Sequence, residues 1–306
     1  MTQASWITHP SCQLHEMGAG HPESPARLLA LQQMLERSGL AASFTQLQAP
    51  AASREALRRV HDAAHVDRIL AAQLRPDRLL RLDPDTAMNQ HSLAAALHAA
   101  GAGVLGVERL LSGAARFVFC AVRPPGHHAE RGQAMGFCLF NNVAVAAAEA
   151  LERGLERVAI LDFDVHHGNG SADIFARDPR VRVFNTYQDP LYPYWRSRAD
   201  APSLIDVPLP GGSDGAAYRA AVREDWLPVL EAFAPQLLLV SAGFDAHVRD
   251  PLAGLRLVDE DYQWTAQLIR ELAGRHCDGR VLAMLEGGYD LQGLAGGVEA
   301  FVRPLI

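Results

Sequence analysis

Cysteine is scarce. The chain of 306 residues has four, at positions 12, 120, 138 and 277, and no two form a C-x-x-C pair. This excludes a dense disulfide framework and the usual dithiol motifs, and the expectation is an intracellular, cytoplasmic protein. No uncharged apolar run of about 18 residues occurs, so no membrane-spanning helix is expected. The Ala-rich stretches at 94–106 and 143–151 read as buried helices. The opening MTQASWITHP lacks the basic start and apolar run of a signal peptide. A cationic excess is missing too. The net charge is −7 with histidine neutral, which argues against a nucleic-acid partner. Long linkers, repeats and low-complexity tracts are absent, so one α/β domain over 1–306 is expected. Oligomeric state leaves no mark in the sequence.

What is present is a large apolar fraction, 49%, with 21% charged residues, enough to build a sizeable core. Short apolar runs at 117–122, 158–164, 181–187, 237–243 and 281–288 read as strands buried on both faces. Helical patterns lie at 140–153, 215–233, 259–275 and 291–303. Earlier ones fall near 24–38, 53–59, 62–73 and 91–113. Strand and helix alternate, which predicts a parallel sheet flanked by helices. Ligands bind such sheets at the carboxyl ends of the strands. Four predicted strands run there into RPPGHHAERG, VHHGNG, FDAHVRDP and EGGYD.

The residues at those ends suggest a chemistry. Asp164 and His166 lie two apart, so in an extended chain they point the same way. With Asp245 they make one imidazole and two carboxylates, a set that leaves a coordination position open, as a catalytic metal site requires. Zn²⁺ suits it, and so do Fe²⁺ and Mn²⁺. His127 and His128 are better placed as acid–base groups than as a pair of ligands. Asp162 is positioned to orient one of them. Tyr289, after two glycines that permit close backbone approach, is a candidate oxyanion donor. Together these residues describe metal-assisted hydrolysis of an amide or ester. A two-metal hydrolase of the arginase type is the competing reading, because Asp162, Asp164, His166 and Asp245 offer many ligands.

The stretches GHPESPARL, RPPGHHAERGQAMGFCLFNN, LDFDVHHGNG, SAGFDAHVRDPLAG and LEGGYD resemble, in order and spacing, the zinc-dependent histone deacetylase superfamily. The Gly-Asn-Gly and the Glu before Gly-Gly-Tyr look more like its class II and bacterial branch. The resemblance implies a single arginase/deacetylase α/β fold with about eight mostly parallel strands. It implies Zn²⁺ on Asp164, His166 and Asp245, and His128 as main base and acid. It also implies His127 oriented by Asp162, and Tyr289 polarising the scissile carbonyl. Phe137 would form one channel wall, Gly136 would offer its carbonyl to the substrate amide, and Asp85 would contact the substrate backbone at the rim. A K⁺ ion would lie near Asp162 and the carbonyls of Asp164 and His166.

Five positions depart from the family pattern. Asn169 stands where many relatives carry an acid facing the second histidine. PLYP puts Tyr192 at the second channel wall in place of Phe. Asn185 and Tyr187 alter the stretch tied to K⁺ and the channel base. Leu252, seven residues after Asp245, stands where polyamine-selective relatives have a gatekeeper Glu.

The expected activity is deacylation of acetyl-lysine side chains in peptides or proteins. Small acetylated amines such as acetylpolyamines are the alternative substrate. A catalytically weak acyl-lysine reader would have lost Tyr289 or a ligand, and neither is lost.

Overall fold

In the computed structural model, residues 4–196 and 200–306 are described. The predicted strands appear as β5 (Phe117–Cys120), β6 (Val158–Asp162), β7 (Val181–Gln188), β9 (Leu237–Ala242) and β10 (Val281–Leu285). Three more were not legible: β1 (Ala4–Thr8), β2 (Phe44–Gln48) and β8 (Leu204–Leu209). These eight form one parallel sheet in the order β2-β1-β5-β10-β9-β6-β7-β8. A small antiparallel ribbon, β3 (Leu80–Arg81) with β4 (Ala87–Met88), stands apart.

The central four strands, β5, β10, β9 and β6, are buried at every position. That is why their sequences run apolar without alternation. The missed strands have different physics. β2 and β8 are the sheet edges and alternate with Gln and Asp. β8 also carries Pro208, tolerated because an edge strand leaves one backbone flank unpaired. β1 is short and carries Ser5, a buried polar residue, as its second residue.

The helices follow the sequence periodicity closely: α1 (Ala26–Ser38), α2 (Arg54–Arg58), α3 (Ala63–Leu70), α4 (Ser92–Leu111) and α5 (Asn142–Glu152). A short α6 (Asn169–Phe175), not expected, starts inside the Gly-Asn-Gly turn. The helix expected over 215–233 is divided. α7 (Gly215–Ala221) passes through a π turn at Val222–Trp226 into α8 (Leu227–Phe233). Pro228 has no N–H to donate and its ring crowds the preceding turn, which accounts for the widening there. α9 (Asp259–His276) and α10 (Leu291–Val302) complete the set.

The Ala-rich stretch read as a buried helix at 94–106 lies within α4. α4 is 20 residues and is long and apolar enough to cross a bilayer by length and composition. In this fold its Ala/Gly face packs on α5 and over β5 and β10. All four cysteines are free and buried.

Candidate active site and metal centre

Because β5, β10, β9 and β6 are neighbours, the loops leaving their carboxyl ends meet at one point. β6 ends at Asp162, so Asp164 and His166 do not lie on an extended strand as expected. Instead the chain folds back in two successive side-chain-capped turns. Asp164 N–H donates to Asp162 Oδ1 (3.2 Å), and His166 N–H donates to Asp164 Oδ1 (2.9 Å). Asx-type bonding of this kind, not strand alternation, brings the two side chains together.

Ligand atoms of Asp164, His166 and Asp245 all lie within 4.8 Å of one another. His166 Nδ1 is 3.1 Å from Asp164 Oδ1 and 3.1 Å from Asp245 Oδ2. The outer carboxylate oxygens are held by backbone. Asp164 Oδ2 accepts from Gly287 N–H (2.8 Å) and Asp245 Oδ1 accepts from Val165 N–H (2.9 Å). A Cβ on Gly287 would sit 2.0 Å from Asp245 Oδ2 and 2.7 Å from Asp164 Oδ2. Only glycine lets this backbone approach both carboxylates.

The donor set fits a divalent cation. Burial, and next the charge of Asp164, push Asp245 up to about 7. His166 is raised to about 10: burial opposes its charge, but the bonds to Asp164 and Asp245 prevail. Two buried carboxylates competing for one proton are the arrangement a metal relieves.

The tandem histidines lie beside this triad. Their ring centroids are 4.0 Å apart, and His128 lies 5.8 Å from His166. His127 Nδ1 is 3.0 Å from Asp162 Oδ2. Burial works against a charge on His127, but Asp164 and then Asp162 outweigh it, so its pKa is raised. His128 goes the other way. Burial, then His127 and His166, hold it well below the usual imidazole value. Its Nδ1 is 2.7 Å from Asn169 Oδ1, and Asn169 Nδ2 donates to Glu130 Oε1 (2.8 Å). That chain fixes the amide orientation, so His128 donates from Nδ1 and keeps Nε2 free as an acceptor. Asn169 therefore orients the ring without adding charge.

A narrow cavity of about 230 Å³ leads down to these groups. Phe137, Tyr192 and Leu252 line it, Asp85 stands at its rim, and Gly136, His127, His128, His166 and Tyr289 reach it from below. Gly136 and Phe137 both have positive φ, 54° and 68°. A Cβ at 136 would fall 2.4 Å from the His128 ring, so the turn requires glycine there. The Gly136 carbonyl already accepts from the Cys138 thiol at 3.2 Å, leaving one lone pair for another donor. Tyr192 meets the His128 ring edge-on at 5.2 Å, and Phe137 meets Tyr289 edge-on at 6.0 Å. Burial, then the negative charge of Asp245, keep the Tyr289 phenol protonated. Asn185 turns its amide oxygen to Gly168 N–H (3.2 Å) and its amide nitrogen to Asp206 Oδ1 (2.9 Å). Tyr187 packs edge-on to His167 at 4.7 Å.

Four charged residues that serve this site were not singled out from sequence. Arg27 is wholly buried; it donates to the carbonyls of Gly288 (2.7 Å) and Glu286, and lies 5.1 Å over the Tyr289 ring. Glu23 joins Arg27 to Arg123. Asp250 accepts from Tyr289 N–H (2.7 Å) and from Leu252 N–H (3.0 Å), tying the Tyr289 loop to the rim. Their motifs, GHPESPARL, RPPG and RDPLAG, were the available signal. Nothing in the sequence told which distant backbone each charge would reach.

The chain matches the histone deacetylase domain model over residues 21–305. It is 38% identical over 292 residues to the histone deacetylase-like amidohydrolase of Pseudomonas aeruginosa, covering 93% of this chain and 75% of that protein. It is 38% identical over 314 residues to polyamine deacetylase HDAC10 of Homo sapiens, covering 97% of this chain and 45% of that protein. In three dimensions it resembles the crystal structure of the HDA15 HD domain. The TM-score is 0.92 at 33% identity, covering 99% of this chain and 88% of that one.

Proposed function

Because the chain belongs to the histone deacetylase family and is a deacetylase, we propose that it is a Zn²⁺-dependent amidohydrolase removing acetyl groups from lysine side chains of peptides or proteins. The observation that carries this reading is the cleft itself. Its neck is walled by Phe137 and Tyr192, and its floor carries the Asp164–His166–Asp245 triad, His128 and Tyr289. A long unbranched alkyl chain suits such a neck, and an amide at its end would reach the polar floor.

Asp164, His166 and Asp245 would hold the zinc, with Fe²⁺ or Mn²⁺ compatible with the same donors. When bound, the metal supplies Lewis acidity, polarising the acyl carbonyl and easing deprotonation of water. The residues of the chain do the rest. His128, neutral with Nε2 free, takes the proton from the attacking water. His127, held by Asp162, stabilises charge beside it, and a histidine of the pair returns a proton to the departing amine. Tyr289 O–H donates to the developing oxyanion. Gly136 carbonyl accepts from the substrate amide, and Asp85 meets the substrate backbone at the mouth.

A K⁺ ion on Asp162 and the carbonyls of Asp164 and His166 belongs to the same reading. Asp162 is buried and its pKa is pushed up by that burial. A Cβ built on Gly168 would lie 2.3 Å from Asp162 Oδ2 and 3.1 Å from Asn185 Oδ1. Asn185 thus offers a neutral oxygen close to that carboxylate.

Acetylpolyamines are the second substrate class, favoured by the likeness to a polyamine deacetylase and opposed by Leu252 at the mouth. The test is turnover by metal-loaded protein of acetyl-lysine peptides, longer acyl-lysine peptides and N-acetylpolyamines. Peptide deacetylation as the dominant activity supports the proposal. Activity confined to acetylpolyamines overturns the substrate assignment, and no turnover of any substrate by protein with bound metal overturns the reaction.

A further inference from the structure

The chain contains no lysine; all 28 cationic residues are arginine, set against 35 acidic ones. Three of them, Arg75, Arg78 and Arg81, fall within one short exposed segment, with Asp77 the single acid between them. Some surface arginines elsewhere find carboxylates, as Arg58 does with Asp67 and Arg180 with Asp178. Among the described residues these three make no ion pair, and the side chain of Arg81 reaches only the Pro84 carbonyl at 3.4 Å.

Their place matters. Arg75, Arg78 and Arg81 line an open depression of about 650 Å³. Arg81 is shared with a second depression of about 600 Å³, which also holds Arg68 and ends at Asp85 and Tyr192. Those two residues belong to the rim of the acyl channel. The three concavities therefore form one track that starts at the channel mouth and becomes basic away from it.

The track is also tied to the channel. Arg81 sits in the β3–β4 ribbon, closed by Leu82 N–H donating to Thr86 carbonyl at 2.9 Å. Thr86 Oγ1 in turn accepts from Phe137 N–H at 3.0 Å, so the ribbon is pinned to a channel wall. Asp83 and Asp85, nearest the mouth, serve the ribbon turn: Asp83 Oδ1 accepts from Asp85 N–H at 2.9 Å and from Thr86 N–H at 2.5 Å.

We infer that this track receives acidic side chains flanking the acylated lysine, so that the enzyme selects acyl-lysines set in acidic stretches of polypeptide. The inference rests on the deacylase reading above and sharpens its substrate class. Arginine forks match carboxylates with two parallel bonds. Acylating agents that modify lysine cannot neutralise such a surface. The net charge of −7 repels long polyanions, whereas a peptide anchored by its acyl-lysine needs only local complementarity. A polycation is repelled from the track.

The test compares kcat/KM of metal-loaded protein for an unflanked acetyl-lysine amide and for peptides with Asp/Glu-rich or Lys/Arg-rich flanks. The acidic-flank peptide is expected to exceed the basic one about threefold to tenfold at low salt. The gap should narrow as salt shortens the screening length towards ~8 Å. In Arg75→Glu/Arg78→Glu the ratio should invert; being measured within one variant, it does not depend on how much of that variant folds. A wild-type ratio near one, or a preference for basic flanks, overturns the inference while turnover of the unflanked amide leaves the deacylase reading standing. Loss of turnover on the unflanked amide as well defeats that reading and this inference with it.

Discussion

Glu286 Oε2 accepts from the backbone N–H groups of both Gly126 and His127, at 2.7 and 3.1 Å. The carboxylate lies at the end of β10 and the two donors follow β5, its neighbour in the sheet. One side chain thus fixes the turn that aims the tandem histidines. The other oxygen, Oε1, is buried and has no partner among the described residues. Burial holds Glu286 up at about 7.

Replacing this group tests the positioning of His127. Glu286→Ala leaves two buried N–H groups unsatisfied, each worth about 1–3 kcal/mol. The melting temperature should fall and activity should drop with it. Glu286→Gln keeps an acceptor, so stability should be largely retained while kcat falls about tenfold and KM changes little. Equal loss of kcat and stability in Gln would reduce Glu286 to a packing role.

The triad makes a separable prediction about metal and stability. Asp245→Asn should abolish metal uptake, read as metal content per chain, and activity with it. In metal-free protein the same change removes one of two like charges buried together, and the melting temperature should rise above that of metal-free wild type. Added Zn²⁺ should then stabilise wild type strongly and the variant hardly at all.

Tyr289→Phe removes only a hydroxyl. The ring stays under Arg27 and against Phe137, so stability should change by less than about 1 kcal/mol. Loss of an oxyanion donor costs about 10²–10³ in kcat. A steady-state comparison with KM nearly unchanged is the expected result, and wild-type kcat in the variant would remove Tyr289 from the chemistry.

The sequence was informative where burial leaves a simple pattern. The apolar runs of β5, β6, β9 and β10 could be read because both faces are covered, and their ends announced the site. β1, β2 and β8 could not, because Ser5, the Gln residues of β2 and Pro208 look like loop in a single chain. Asp164 and His166 were placed together for an inadequate reason: strand alternation stops at Asp162, and side-chain-capped turns do the work. Arg27, Glu23, Asp250 and Glu286 act on backbone far away in sequence, and no local pattern carries that information.

Glu23 gives a pH prediction with a definite sign. Burial raises its pKa, but Arg123, with help from His15 and Arg27, outweighs it and holds the carboxyl at about 2, from 4.5. A group depressed in the folded state adds stability that is full above about 4.5 and is lost as pH falls towards 2. The stability difference between wild type and Glu23→Gln, from urea unfolding across that range, should shrink steadily as pH drops. At neutral pH, where the pair is intact in wild type, the variant should be about 3–5 kcal/mol less stable. A difference independent of pH would show that Glu23 acts through shape alone.

Leu252 is the last position whose role can be separated by charge. Its side chain lines the mouth and is 37% exposed, so a carboxylate there would remain solvated and would carry little folding cost. Its backbone is held by Asp250, which also holds Tyr289, so the loop should keep its place. Leu252→Glu is expected to raise kcat/KM for N-acetylpolyamines relative to an acetyl-lysine peptide by about tenfold, because a cationic tail would meet a fixed anion on leaving the channel. Leu252→Gln has nearly the same shape without the charge and should leave the ratio close to wild type. If Gln shifts the ratio as far as Glu, the effect is one of size or polarity at the mouth. If neither shifts it, selection between polyamine and peptide lies elsewhere on the rim, and the arginine track beside Asp85 is the next place to change.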